Sequence, residues 1–279
     1  MIATTTGHNS NPKVSSFDFE CYGVKIRLVG NDQQIIDEAE QVARKALLND
    51  LEVITTDNFD TIFTFNLNAK GMISLSQDGE QITSGDVREH FFGYFNSLVR
   101  VAVAERAVDR LFIHAGAVGW KGKAIILPGT SFVGKSTLVA ELVRKGAVYY
   151  SDDYAIFDRD GLLHPFPRTL SMRADDEHYT RFELTPSDLG GEVGTEPITV
   201  GTVLLTEYRP GAKWEPRVLT AGNAVLEIMP FTFSFINRPD FSLDVLNNIV
   251  SRAILVSSLR GSADNFAETL LDFVDKHAN

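Results

Sequence analysis

Cysteine is nearly absent: Cys21 is the only one in 279 residues. An intrachain disulfide is therefore excluded, and no His or Cys cluster has the short spacing of a zinc site. Cys21 itself reads as a small buried side chain in a strand. Positive charge is also scarce. The 26 Lys and Arg stand against 37 Asp and Glu, for a net charge of −11. A broad nucleic-acid-binding surface needs clustered cations, so that class is excluded. No apolar run approaches the roughly 20 residues of a membrane span, and the opening MIATTTGHNSNPK lacks the apolar centre of a signal peptide. The expectation is a cytoplasmic protein with no membrane or nucleic-acid partner. No internal repeat is present, and no Ser-His-Asp pattern can be defended from spacing. What is there suits a packed core: 44% of the residues are hydrophobic and 23% are charged.

Against this background one stretch stands out, Lys123 to Asp153. Its centre, Gly129-Thr130-Ser131-Phe132-Val133-Gly134-Lys135-Ser136, fits the Walker A pattern G-x-x-x-x-G-K-[ST]. Ala124-Ile125-Ile126-Leu127 before it is an apolar run suited to a buried strand. Thr137 to Arg144 after it carries Leu138, Leu142 and Val143 at helical spacing. Glycines between a strand and a helix let backbone N–H groups turn toward an anion, and the helix N-terminus adds partial positive charge. Lys135 supplies a full charge for the outer phosphates, and the Ser136 hydroxyl can ligate magnesium. The pattern predicts a nucleotide cradle over Gly129 to Thr137, with ATP and Mg²⁺ as ligands. A bare glycine-rich turn is the bland alternative.

The flanks extend the expectation. Leu111 to Val118 reads as a strand, and the tight turn Gly119-Trp120-Lys121-Gly122 makes it antiparallel to the strand entering the loop. His114 then lies next to the phosphate-bearing strand, where a packed strand histidine is the competing reading. Ala147 to Tyr150 reads as a strand returning parallel to the loop strand, and its end carries Ser151-Asp152-Asp153. A carboxylate at a strand's C-terminal edge beside a phosphate loop is where a magnesium complex needs a partner. Turn formation by the Asp pair is the alternative. Arg168 and Arg173 are candidates for anion contacts.

Along the chain, residues 1–16 are expected to be a disordered tail, 17–105 a small N-terminal α/β domain, and 106–279 the phosphate-loop domain. Phe17 to Val29 predicts a strand or a hairpin at Tyr22-Gly23, and Asp32 to Leu48 a helix. Thr61 to Asn66 and Met72 to Leu75 read as strands. Ser84-Gly85-Asp86 is expected to start a long helix to about Arg110, whose stripe of Phe91, Phe92 and Phe95 packs between the two halves. Ala174 to Thr195 predicts a polar mobile loop suited to a lid. Ile198 to Leu205 reads as a buried strand. Ser242 to Leu259 and Ala263 to Val274 read as two closing helices.

Residues 111 to 157 resemble the catalytic core of HPr kinase/phosphorylase and its relatives, which share a phosphate-loop fold with PEP carboxykinase. The similarity is carried by Ile113-His114-Ala115, the loop, the Arg144-Lys145-Gly146 helix end and Ser151-Asp152-Asp153. It runs more loosely to the chain end. It implies an α/β fold, a mixed sheet with flanking helices, beside the small N-terminal unit. It also implies a kinase moving the γ-phosphoryl of ATP to a hydroxyl of an unidentified acceptor, and self-association into a homo-oligomer. By the resemblance His114, Lys135 and Asp152 are catalytic, with Asp152 as base, while Ser136 and Asp153 hold Mg²⁺. Spacing alone does not order the two aspartates. Phe132 replaces the usual glycine, and the founding enzyme's downstream glycine-rich motif is missing. Both departures argue against HPr itself as acceptor and against phosphorylase activity. A nucleotide-binding regulator with little phosphotransfer is the second reading, and a PEP-carboxykinase-like enzyme with another phosphoryl donor the third.

Overall fold

The structure, a computed structural model, describes residues 14–130, 133–173 and 180–277. The chain divides into two compact units, Met1–Val108 and Asp109–Asn279.

In the first unit β1 (Ser15–Cys21) and β2 (Val24–Gly30) form an antiparallel hairpin. Its two turn residues, Tyr22 and Gly23, both take left-handed backbone angles, which match the strands' twist. The strand starts at Ser15, inside the stretch expected to be a tail; residues 1–13 lie outside the described residues. In β2, Val24, Ile26 and Leu28 are buried in alternation, the mark of a sheet with one covered face. The cover is α1 (Gln33–Ala46), capped by Asp32 accepting from the Ile35 N–H at 3.0 Å. Next come β3 (Glu52–Val53), β4 (Thr61–Leu67), β5 (Ile73–Gln77), β6 (Glu80–Gly85) and α2 (Arg88–Arg106). The sheet order is β3-β1-β2-β4-β5-β6, with β4 parallel to β2.

One expectation is corrected here. The long helix begins at Arg88, because Ser84 and Gly85 still pair with β5. Its phenylalanine stripe packs into the core of its own unit. Phe95 meets Phe63 and Phe65 edge-on, at ring separations of 5.3 and 5.0 Å. Cys21 is buried, and burial pushes its thiol far above the ordinary range, as an inert core residue requires.

The second unit is built on a mixed sheet. β7 (Leu111–Trp120) and β8 (Lys123–Pro128) form a tight antiparallel pair, and α3 (Lys135–Arg144) follows the loop. β9 (Val148–Ser151), β10 (Tyr154–Phe157), β11 (Leu162–His164), β12 (Leu170–Arg173) and β13 (Arg181–Leu184) come next. β14 (Ile198–Tyr208), β15 (Arg217–Val218), α4 (Ala221–Ile228), α5 (Pro239–Val250), β16 (Ile254–Arg260) and α6 (Ala263–His277) complete it. The order is β11-β10-β7-β8-β14-β16-β15, with β9 also pairing β7 and β11 also pairing β14. The central strands β8, β14 and β16 are parallel.

Period-two alternation divides the apolar residues between the two faces. Ala124 and Ile126 join the cluster that α4 and α5 cover, while Ile125 and Leu127 join the one that α3 and α6 cover. Helices on both faces of the sheet make this a layered α/β unit.

Three sequence expectations are revised. The predicted helix Ser242 to Leu259 ends at Val250, and its last third is β16, paired on both edges. A strand covered on both faces shows a continuous apolar run, which periodicity cannot tell from a helix. The strand after α3 runs parallel to β8 but pairs with β7, one place further out. The expected lid is structured over much of its described part. β13 pairs with β12, and Thr185 and Asp188 close a capping box on the short helix Pro186–Leu189; residues 174–179 lie outside the described residues.

The core assignment is directly testable. Phe65→Ala is expected to cost about 3–5 kcal/mol in denaturant unfolding. Tyr94→Ala, on the same helix as the stripe but 47% exposed, is expected to stay within about 0.5 kcal/mol of the parent.

Candidate functional site

The loop begins where β8 ends. Register pairs Ala115 with Pro128, so the next residues also meet: the Gly129 N–H donates to the His114 carbonyl at 3.1 Å. At the far end Gly134, with φ +84°, caps α3, and Lys135 is the first helical residue. Its side chain folds back inside the loop and is only 9% exposed. The ammonium donates to the carbonyls of Gly129 at 2.7 Å and Thr130 at 2.6 Å. Burial lowers its pKa to about 8, against the opposing pull of Asp153 and Asp152. Ser131 and Phe132 lie outside the described residues.

The acidic pair follows β9. The turn there is made by Ser151, whose hydroxyl accepts from the N–H groups of Asp153 at 3.3 Å and Tyr154 at 3.1 Å. The turn therefore does not need the aspartate side chains. Asp152 is 7% exposed and accepts hydrogen bonds from the Ser136 hydroxyl and the Ser171 backbone. Burial, then the neighbouring Asp153, raises its pKa to about 6. The Tyr149 hydroxyl lies 3.3 Å from the Asp152 Oδ1 and 2.7 Å from the Arg168 carbonyl. It has one proton to give, and the shorter contact takes it.

Asp153 is less buried. One carboxylate oxygen lies 3.7 Å from the Arg168 guanidinium, and the other 4.0 Å from His114 Nε2. His114 is half-buried, with the rings of Tyr154 and Phe233 each 6.4 Å away. Loop, lysine, serine, both aspartates and histidine thus converge, although β7 separates β9 from β8. Of the two flagged arginines, Arg168 joins this cluster and Arg173 is exposed on β12.

One residue was missed by sequence reasoning. Arg260, the last residue of β16, is 2% exposed. It donates from Nη2 to the Gly134 carbonyl at 2.8 Å and from Nη1 to the Gly261 carbonyl at 3.0 Å, and its guanidinium lies 5.6 Å from the centre of the Tyr208 ring. Its Nε has no hydrogen-bond partner among the described residues. Glycine is favoured at Gly134 by its left-handed φ, and a Cβ there would meet this guanidinium and displace it. Burial lowers the Arg260 pKa, yet guanidinium keeps its charge in proteins. The only signal available was position: a strand read correctly would have put its C-terminal end beside the loop.

Among the described residues no group of three or more His, Cys, Asp or Glu could hold a metal by itself. The oxygens of Ser136, Asp152 and Asp153 nevertheless suit magnesium, which characteristically takes one or two carboxylates together with substrate phosphates. The buried cations Lys135 and Arg260 flanking a left-handed glycine suit an anion.

The chain matches no protein-family model, and a search of curated proteins finds no significant match. Fold and site together define an α/β protein in which a stretch of G-x-x-x-x-G-K-S sequence lies near an acidic pair. No helix among the described residues is long and apolar enough to cross a membrane.

The burial of Asp152 sets a pH dependence. Unfolded, the group titrates near its ordinary 3.8; folded, near 6. Between these values the folded state holds a proton that the unfolded state releases, so stability falls as pH rises from about 4 to about 6 and remains lower above. Asp152→Asn lacks this loss. It is expected to be about 1–3 kcal/mol more stable than the parent at pH 7.5, with the gain fading toward pH 4 in denaturant titrations. A gain that does not vary with pH would contradict a buried carboxylate.

Proposed function

We propose that the second unit is an HPr-kinase-like phosphate-loop kinase that moves the γ-phosphoryl of ATP to a hydroxyl of an unidentified acceptor. The observation that carries this reading is the convergence of Lys135, Ser136, Asp152, Asp153 and His114 on one loop. Phosphoryl transfer is mainly positioning and charge stabilisation, and this set has the groups for both. The loop N–H groups and Lys135 hold the phosphates once the ammonium swings from the loop carbonyls toward them. A magnesium ion held by Ser136 and Asp152 would neutralise charge between the outer phosphates.

The two aspartates take roles in the reverse order from that implied by the resemblance. The Ser136 hydrogen bond favours Asp152 on the metal side. Asp153 is the more exposed of the two, which leaves it within reach of an incoming hydroxyl as the proton acceptor. Arg168 and His114 orient its carboxylate.

The test is label transfer from γ-labelled ATP and Mg²⁺ to cell extract split into protein and small-molecule fractions. Label is expected in one fraction and is expected to vanish with Lys135→Ala. Asp153→Asn is expected to keep Mg·ATP binding and lose at least about 100-fold in transfer, the usual scale for a general base. Undiminished turnover in that variant would overturn the base assignment. Binding without transfer to either fraction would replace the kinase by a nucleotide-binding regulator.

A further inference from the structure

A cavity of about 510 Å³ opens beside the loop on the side away from the aspartates. Its rim includes Gly129 and Thr130, and its apolar walls come from Leu205, Phe231 and Leu259. It lies at the C-terminal ends of β14 and β16, which run parallel to β8. In α/β sheets this edge is where ligands sit. Resting on the nucleotide reading of the loop, we propose that this cavity holds the nucleoside part of a ribonucleoside triphosphate, and that the acceptor hydroxyl approaches from the opposite side, over β7 and β9.

Three observations carry the assignment. The first is distance. The aspartates follow β9, and the strand path from β9 to the cavity runs through β7 and β8 to β14. The cavity's near edge, at Pro128 of β8, is two strand spacings away and its β14 wall three, roughly 9–14 Å along the sheet. A base must come within about 3 Å of the hydroxyl it deprotonates, so a hydroxyl lodged in the cavity would be out of reach. The second is charge. The cavity contains Glu207, Glu227 and Arg217, with Arg217 Nη2 paired to Glu227 at 3.4 Å. One negative charge is left over, which repels phosphate and accepts hydrogen bonds from amino and hydroxyl groups. A base and ribose present those donors, and a carboxylate on a ribose hydroxyl is a recurrent arrangement in nucleotide sites. The third is shape. The volume falls in the range of small-molecule sites, and an aromatic and two leucine walls suit a flat ring. The triphosphate then lies along the loop, with its outer end toward Asp153.

Isothermal titration of the full chain with magnesium tripolyphosphate, ATP and GTP separates this proposal from the reading beneath it. Tripolyphosphate is expected to bind in a manner abolished by Lys135→Ala, and at least one of ATP and GTP is expected to bind at least tenfold more tightly. Ser257→Trp, which fills the cavity from β16, is expected to remove that advantage and leave tripolyphosphate binding unchanged. Retained tripolyphosphate binding shows that the variant is folded. Glu207→Ala, at an exposed position, is expected to weaken the same nucleotide severalfold with no effect on tripolyphosphate. Nucleotide affinity unchanged in both variants would overturn the cavity assignment while leaving the loop assignment standing. No binding of any of the three ligands to the parent protein would overturn both.

Discussion

The turn at Lys121 and Gly122 sets the register on which the second unit depends. Both residues take left-handed backbone angles, with φ of 49° and 80°, the geometry of a two-residue hairpin. With the turn in place, β7 and β8 align so that His114 stands beside the first loop glycine. On its other edge β7 pairs with β10, which puts Tyr154 opposite His114, and the Ala115 N–H donates to the Asp153 carbonyl at 3.2 Å. One strand therefore holds the loop and the acidic turn in a common frame. A slip of one residue would exchange the two faces of β8, sending Ile125 and Leu127 away from α3 and α6. The core on both sides thus enforces the register that builds the site.

The site buries positive charge in a chain that is acidic overall. In a protein of net charge −11, two cations are buried next to one loop, Lys135 inside it and Arg260 behind Gly134. Burial drives Lys135 and Asp152 toward their neutral forms from opposite directions. Their mutual attraction offsets part of that cost. Groups held this way are poised to respond to an anion or a proton. The same burial makes the region less stable than an apolar core of equal volume would be.

Much of the architecture could be read from local patterns. The Tyr22-Gly23 hairpin, the helix that starts after Asp32, the glycine-rich stretch, the strand carrying His114 and the strand that leads into Asp152 each announce themselves within about a dozen residues. The errors have separate causes. The run Ile254 to Val256 is apolar because both its faces are covered, so the alternation that identifies a half-exposed strand is absent there. The phenylalanine stripe of α2 showed that one face is buried but carried no information on its partner, which is β4. Ser151 as the turn-maker was hidden because serine and aspartate have similar turn propensity.

Sequence alone determined the α/β class, the glycine-rich G-x-x-x-x-G-K-S stretch between a strand and a helix, and the presence of two carboxylates soon after it. These follow from contacts between neighbours in the chain: period, turn chemistry, and glycine at positions of unusual φ. Tertiary structure alone decided that Asp152 meets Ser136 while Asp153 meets Arg168, and that Arg260, 126 residues beyond Gly134, closes the loop from behind. It also decided that a cavity opens on the far side of the loop. Those pairings depend on strand order and side-chain direction across the sheet. Neither leaves a periodic trace in the chain, because each strand's pattern reports that it is covered and not by what.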